Sequence, residues 1–236
     1  MNARRLGVAI VVAAALALPS AATLWVWTPG GGDIQARVEA IAAARGIPVL
    51  GAGEVPARLA DAVVAIEDER FYDHHGLDSV GLARAVLYDA TNACLCQGGS
   101  TITQQLVKEV YLGGSDRGYN KVEGMVLALK VERVLSKKRI LADYLSLITT
   151  GLGRYGVTAA ACAYFHAPLG SLTLGQYALL AGVTQAPSLY DPTVDPAAAA
   201  SRRAQVLAQM VSDRYVTAAQ ARDANAEQVL SAGSGC

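Results

Sequence analysis

The chain has 236 residues, enough for one ordinary globular domain with a short additional segment. Its 20 lysines and arginines balance its 20 aspartates and glutamates, which excludes the global basic excess of a protein whose main partner is nucleic acid. Apolar residues reach 53% while aromatics supply only 6%, a mixture rich in alanine and leucine that suits helices.

At the N-terminus, Arg4 and Arg5 precede an apolar run from Leu6 to Trp27 that Pro19, Ser20 and Thr23 interrupt only weakly. The run is long enough to span a bilayer, and the positive residues on its short side predict a cytoplasmic N-terminus with an extracytoplasmic body. Residues 1–28 are therefore expected to form a single-pass signal anchor in the cell membrane, with Trp25 and Trp27 at the outer interface. A signal peptide cleaved near Pro19 to Ala22 is the competing expectation. Export would place Cys94, Cys96, Cys162 and Cys236 where disulfides persist, with their pairing left open.

Residues 29–54 read as a linker that contains a weakly helical stretch from Ile34 to Arg45, and residues 55–215 as the main domain. Pro56 suits a first helical turn, and Leu59, Val63 and Ile66 then share one face of a helix that ends at Glu67. Asp78 or Ser79 can cap a second helix through Tyr88, and Ser100 or Thr101 a third through Leu112. The pattern from Lys121 to Leu135 predicts a long helix with Met125, Val126 and Leu129 buried and Lys130, Glu132 and Arg133 nearer solvent. Ser136 caps the next, whose Ile140, Leu141, Tyr144, Leu145 and Ile148 recur at three-and-four spacing. Further helices are expected at Val157–Phe165, Thr173–Val183, Pro196–Ser212 and Thr217–Leu230, the last within a C-terminal segment of residues 216–236. No alternating strand pattern appears, so the fold class is mainly α.

Two segments concentrate chemistry. From Glu67 to Asp78 the sequence packs Glu67, Asp68, Glu69, Arg70, Asp73, His74 and His75 into a turn between apolar helices. A carboxylate partly enclosed there would have a raised pKa and could accept a proton near neutral pH. From Gly98 to Lys108 paired glycines precede Ser100, Thr101, Gln104 and Gln105, neutral donors and acceptors suited to sugar hydroxyls or phosphate oxygens. Lys108 lies one turn beyond Gln104 on the same face.

Together these segments resemble the first two signature motifs of the peptidoglycan glycosyltransferases, the family of monofunctional transglycosylases and of the polymerase domains of class A penicillin-binding proteins. Glu67, Asp68, Phe71, His74 and Gly76 meet the first motif, and Gly98 to Gln105 meets the second in full. The resemblance continues through Leu127 to Glu132, Ser136-Lys137, Tyr144-Leu145, Tyr155-Gly156, Tyr164-Phe165 and Ala178 to Pro192. It implies a lysozyme-like fold with a large lobe and a smaller membrane-facing jaw. It also implies lipid II and the growing glycan as substrates, and cell-wall synthesis proteins as partners. Glu67 would be the catalytic base for an inverting transfer. Asp68, His74, Ser100, Thr101, Gln104, Gln105, Lys108, Arg117, Lys121 and Glu123 would bind substrate, with Lys108 and Lys121 serving the leaving pyrophosphate. A divalent cation, Mg or Mn, could share that task, although the sequence holds no evident ligand cluster for one.

The third motif departs from the family pattern Arg-Lys-x-x-Glu. Asn120, Lys121, Val122, Glu123 and Gly124 stand there, so glycine occupies the position of the carboxylate. An upstream family arginine falls on Asp116, beside Arg117, and Ala142 and Ser146 replace a Glu and an Asn. Three readings follow: an active monofunctional glycosyltransferase, a catalytically weak or inactive homologue that binds lipid II or glycan as a scaffold, and a lytic enzyme that needs one glutamate. No Ser-x-x-Lys or Lys-Thr-Gly element occurs in the chain, which argues against transpeptidation.

Overall fold

The structure is a computed structural model that describes residues 23–92, 99–115, 117–151 and 153–230. The described residues are mainly helical and contain no strand, only an isolated bridge between Thr149 and Tyr155. The expected anchor lies largely in residues 1–22, outside the described residues, among which no helix is long and apolar enough to cross a membrane.

Helix α1 (Ile34–Arg45) leads into α2 (Ala57–Glu67) and α3 (Ser79–Asn92), followed by α4 (Ile102–Tyr111), α5 (Tyr119–Val131) and α6 (Lys137–Leu147). The second half holds α7 (Val157–Phe165), α8 (Leu174–Gln185), a short α9 (Pro187–Tyr190), α10 (Pro196–Ser212) and α11 (Ala218–Asn225). Helix α8 is apolar on all sides and is accordingly central, buried from Tyr177 to Thr184 and flanked by α2, α7, α10 and α11. A second group packs α4 between α5 and α6, with α1 laid across α4 and α6. Glu67, at the end of α2, faces Gln105 on α4, where the two groups meet.

Several expectations about burial change. The weakly helical stretch expected at Ile34–Arg45 is helix α1, and its Ile34, Val38 and Ala42 are buried in the common core. On α5 the buried face is Gly124, Leu127, Ala128, Lys130 and Val131, while Met125, Val126 and Leu129 are only partly covered. Lys130 is buried because the chain ahead of α1 closes over it: its ammonium donates to the carbonyls of Trp25 and Thr28 at 2.6 Å each. Trp25 stacks on Lys130 and Arg133, a contact that an interfacial role alone does not predict. Glu132 is also covered, accepting from Thr103 and from Lys137 Nζ at 2.7 Å, whereas Arg133 is exposed as expected. Of the four cysteines, Cys162 has a free thiol, and Cys94, Cys96 and Cys236 lie outside the described residues.

Helix ends follow the sequence closely. Thr101 rather than Ser100 caps α4 in a reciprocal box with Gln104, and Thr173 and Thr217 do the same with Gln176 and Gln220. Ser136 caps α6 by accepting from the Arg139 amide, and Asp78 accepts from the Gly81 amide at the start of α3. Arg203 on α10 donates to the carbonyls of Asn225 and Glu227, satisfying the C-terminal end of α11.

Candidate active site

Helix α2 stops at Glu67 because Asp68 leaves helical geometry, with φ −162° and ψ 72°. The Glu67 side chain then projects onto the floor of a cleft of about 240 Å³. Its Oε2 accepts from Gln105 Nε2 at 2.8 Å, while Oε1 is shielded from solvent and has no hydrogen-bond partner. Burial pushes the carboxyl above the usual carboxylate range; Gln105, Arg202 and Lys108 oppose that rise, and Asp68 adds to it. A carboxylate held by one oxygen and unpartnered at the other is suited to taking a proton.

The rest of the acidic turn serves to brace this position. Asp68 accepts from His74 Nε2, 3.0 Å from each oxygen, and from the Ile102 amide, also at 3.0 Å. Thr101 Oγ1 donates to the Gly76 carbonyl at 2.7 Å, so the turn is tied to the first residues of α4 at two points. Gly76 has φ 92°, and a Cβ there would stand 2.7 Å from the Ala128 carbonyl oxygen, which only glycine avoids. Phe71 anchors the turn in the core beneath the Lys137 ammonium, 4.4 Å from its ring centroid, whereas Tyr72 stays 53% exposed. Asp68, His74 and Thr101, expected to touch substrate, are engaged in bracing the turn, while Asp68 and Thr101 also line a second, smaller pocket that shares Glu67 and Ser100 with the cleft.

The expected binding residues that do meet are Ser100, Gln104, Gln105, Lys108 and Lys121, all lining the cleft with Glu67. Lys121 Nζ donates to Ser100 Oγ at 2.7 Å, joining α5 to the segment ahead of α4. Gln104 presents its side chain there while its Oε1 accepts from the Thr101 amide at 2.9 Å. Arg117 is exposed and Glu123 partly buried, and neither lines this cleft. On α5 Lys121 and Gly124 share a face, while Glu123 is turned about 100° from Gly124. Asp116 lies outside the described residues.

Gly124 forms cleft wall, and a Cβ placed on it would meet only Leu112 Cδ1, at 3.2 Å. Two ammonium groups with one carboxylate already engaged by Gln105 make a poor donor set for a resident divalent cation. Among the described residues no group of three or more histidine, cysteine and acidic side chains gathers to hold one.

Sequence reasoning missed Arg202 and the hydroxyl of Tyr144. Arg202 is buried on α10 with Nη2 unpartnered, and its charge acts on Glu67. The signal was available: Ala199, Arg202, Arg203, Val206, Leu207 and Met210 form a single buried stripe, so two arginines sit where apolar residues belong. Tyr144 belongs by its spacing to the apolar face of α6, but its hydroxyl donates to Gln105 Oε1 at 3.1 Å.

Comparison with known proteins places this arrangement. A family model described as "Transglycosylase" matches residues 36–211. Penicillin-binding protein 1A of Vibrio cholerae is 42% identical over 177 residues, covering 75% of this chain and 22% of that protein. The Haemophilus influenzae protein of the same name is 44% identical over 173 residues, covering 73% and 20%. Penicillin-binding protein 1F of Bacillus subtilis is 38% identical over 168 residues, covering 71% and 24%. The chain thus spans about a fifth to a quarter of the length of these curated relatives. Among solved structures, penicillin-binding protein 1A from Haemophilus influenzae superposes with a TM-score of 0.47 at 22% identity, covering 79% of this chain and 18% of that one. With the match extending from α1 through α10 and including both the Glu67 turn and the wall of the cleft, the chain belongs to the transglycosylase family.

Proposed function

We propose that this chain is a membrane-anchored peptidoglycan glycosyltransferase that lengthens glycan strands from lipid II. The observation that carries the reading is Glu67, held by Gln105 through Oε2 with Oε1 unpartnered, on the floor of a cleft lined by Lys108 and Lys121. Glu67 Oε1 takes the proton of the acceptor's sugar hydroxyl as that oxygen attacks the donor's anomeric carbon. The bond from that carbon to the polyprenyl pyrophosphate breaks, with inversion, and the two lysines stabilise the departing anion.

Apolar side chains are exposed on α3 (Val80, Leu82, Leu87) and α5 (Tyr119, Val122), which supports a jaw that faces a membrane. The amphiphilic donor could then be drawn from the bilayer. The lysine pair supplies the positive charge, and the mechanism takes no step through a metal ion.

Gly124 favours a second reading, a homologue that binds lipid II or glycan without turnover, because cleft wall replaces the family's carboxylate. Incubation with labelled lipid II and, separately, with purified glycan strands separates the alternatives. The proposal predicts lengthening of lipid II and intact strands. Shortened strands would identify a lytic enzyme, and binding with no product a scaffold.

A further inference from the structure

Glu67 is held by an amide whose two ends are nearly the same shape, so packing alone does not decide whether Gln105 offers its NH2 or its carbonyl to the carboxylate. The choice has chemical consequences. An NH2 facing Glu67 stabilises the ionised base, whereas a carbonyl facing it repels the ionised form and accepts from the protonated acid. A second contact on the same amide comes from the far side. Tyr144 on α6 is 1% exposed, and its hydroxyl donates to Gln105 Oε1 at 3.1 Å, while Gln105 Nε2 donates to Glu67 Oε2 at 2.8 Å.

We propose that Tyr144 is a positioning residue for the base: its hydroxyl locks the Gln105 amide with NH2 toward Glu67 Oε2 and so reserves Oε1 for the substrate proton. The inference rests on the reading of Glu67 as base. Burial, with Glu67 beside it, holds the Tyr144 phenol well above its ordinary pKa, so it remains a donor at working pH. Thr184, whose hydrogen bond to the phenol opposes that rise, also lies within reach of the Ala181 carbonyl, 2.8 Å from its Oγ1. The ionisable groups that face Glu67 are Asp68 beside it, Lys108 from α4, Tyr144 from α6 and Arg202 from α10. Tyr144 is the member of this set that hydrogen-bonds to the Gln105 side chain, so its removal is read through that amide.

The test is a carbon-13 NMR titration of full-length protein in detergent with carboxyl-labelled glutamate, using Glu67→Gln to assign the resonance. Tyr144→Phe keeps the ring and deletes the donor; the Glu67 midpoint should move to higher pH. Gln105→Met should also move it upward, and Tyr144→Phe added to Gln105→Met should produce no further shift. In polymerisation assays the acid limb of kcat should move in the same direction, with about a fivefold loss below the midpoint and little change in KM. An unchanged midpoint in Tyr144→Phe, or an equal shift with and without Gln105, overturns the proposal. Should Tyr144→Phe fail to fold, an unchanged midpoint in Gln105→Met overturns it, and an upward shift supports the amide contact on which it stands. Absence of polymerisation by wild type would count against the glycosyl-transfer reading, while the titration still decides the role of Tyr144.

Discussion

Lys121 Nζ donates to Ser100 Oγ at 2.7 Å across the mouth of the cleft, so a cation of α5 is fixed beside the polar segment that opens α4. Lys108 lines the same cleft one turn beyond Gln104 on α4. A pair of fixed cations stabilises charge that develops as a leaving group departs more than charge already present in the bound donor. Lys108→Ala should therefore lower kcat by about 100-fold while changing KM far less. Initial rates against lipid II concentration check this, and equal turnover would remove Lys108 from the mechanism.

Glu67 carries a pH signature in stability as well as in activity. Its folded-state pKa is raised by burial, so the stability linked to it is fully present below the unfolded value of about 4.3 and is lost as pH rises through the folded value. Glu67→Gln removes the ionisation. It should raise the thermal midpoint at pH 8, and the gain should vanish as pH falls below about 4. Scanning calorimetry of wild type and variant across that range reads the difference; a gain that grows toward acid pH would contradict the assignment.

Asp68 joins two motifs through buried hydrogen bonds to His74 and to the Ile102 amide. Asp68→Ala leaves both donors without that partner, and unfolding in urea should show a loss of about 2–4 kcal/mol. A substrate contact alone would leave stability near that of wild type.

Gly124 lies inside α5, and a Cβ added to it would meet only the tip of the Leu112 side chain, at 3.2 Å. Glycine in a helix interior costs about 0.5–1 kcal/mol relative to alanine. Gly124→Ala should accordingly raise stability by about that amount in urea unfolding, provided Leu112 gives way by a few tenths of an ångström. A clear loss would mean that Leu112 is held more tightly than its partial burial indicates.

Much of the architecture was legible because helix caps and apolar stripes act locally. Ser136, the ends of Val157–Phe165 and those of Pro196–Ser212 agree with the pattern read from sequence. The burial of Lys130 was not legible because it depends on Trp25, Thr28 and Pro29, residues about a hundred positions away. At the site, the motifs identified Glu67, Gln105 and the lysines, but not which polar residues hold one another. Asp68, His74 and Thr101 share their motifs with residues that line the Glu67 cleft and differ from them in where their hydrogen bonds go. The Tyr144 hydroxyl was hidden for the converse reason, since helical periodicity registers its ring and not its donor.

The central claim is that Glu67 is the base of a glycosyl transfer from lipid II, and it is tested most directly by single-turnover polymerisation with full-length wild type and Glu67→Gln, product length being read on a gel. The account predicts lengthened glycan from wild type and a loss of about 100-fold or more in the variant, with lipid II still bound. Comparable product from both proteins, or bound lipid II with no product from wild type, would contradict it.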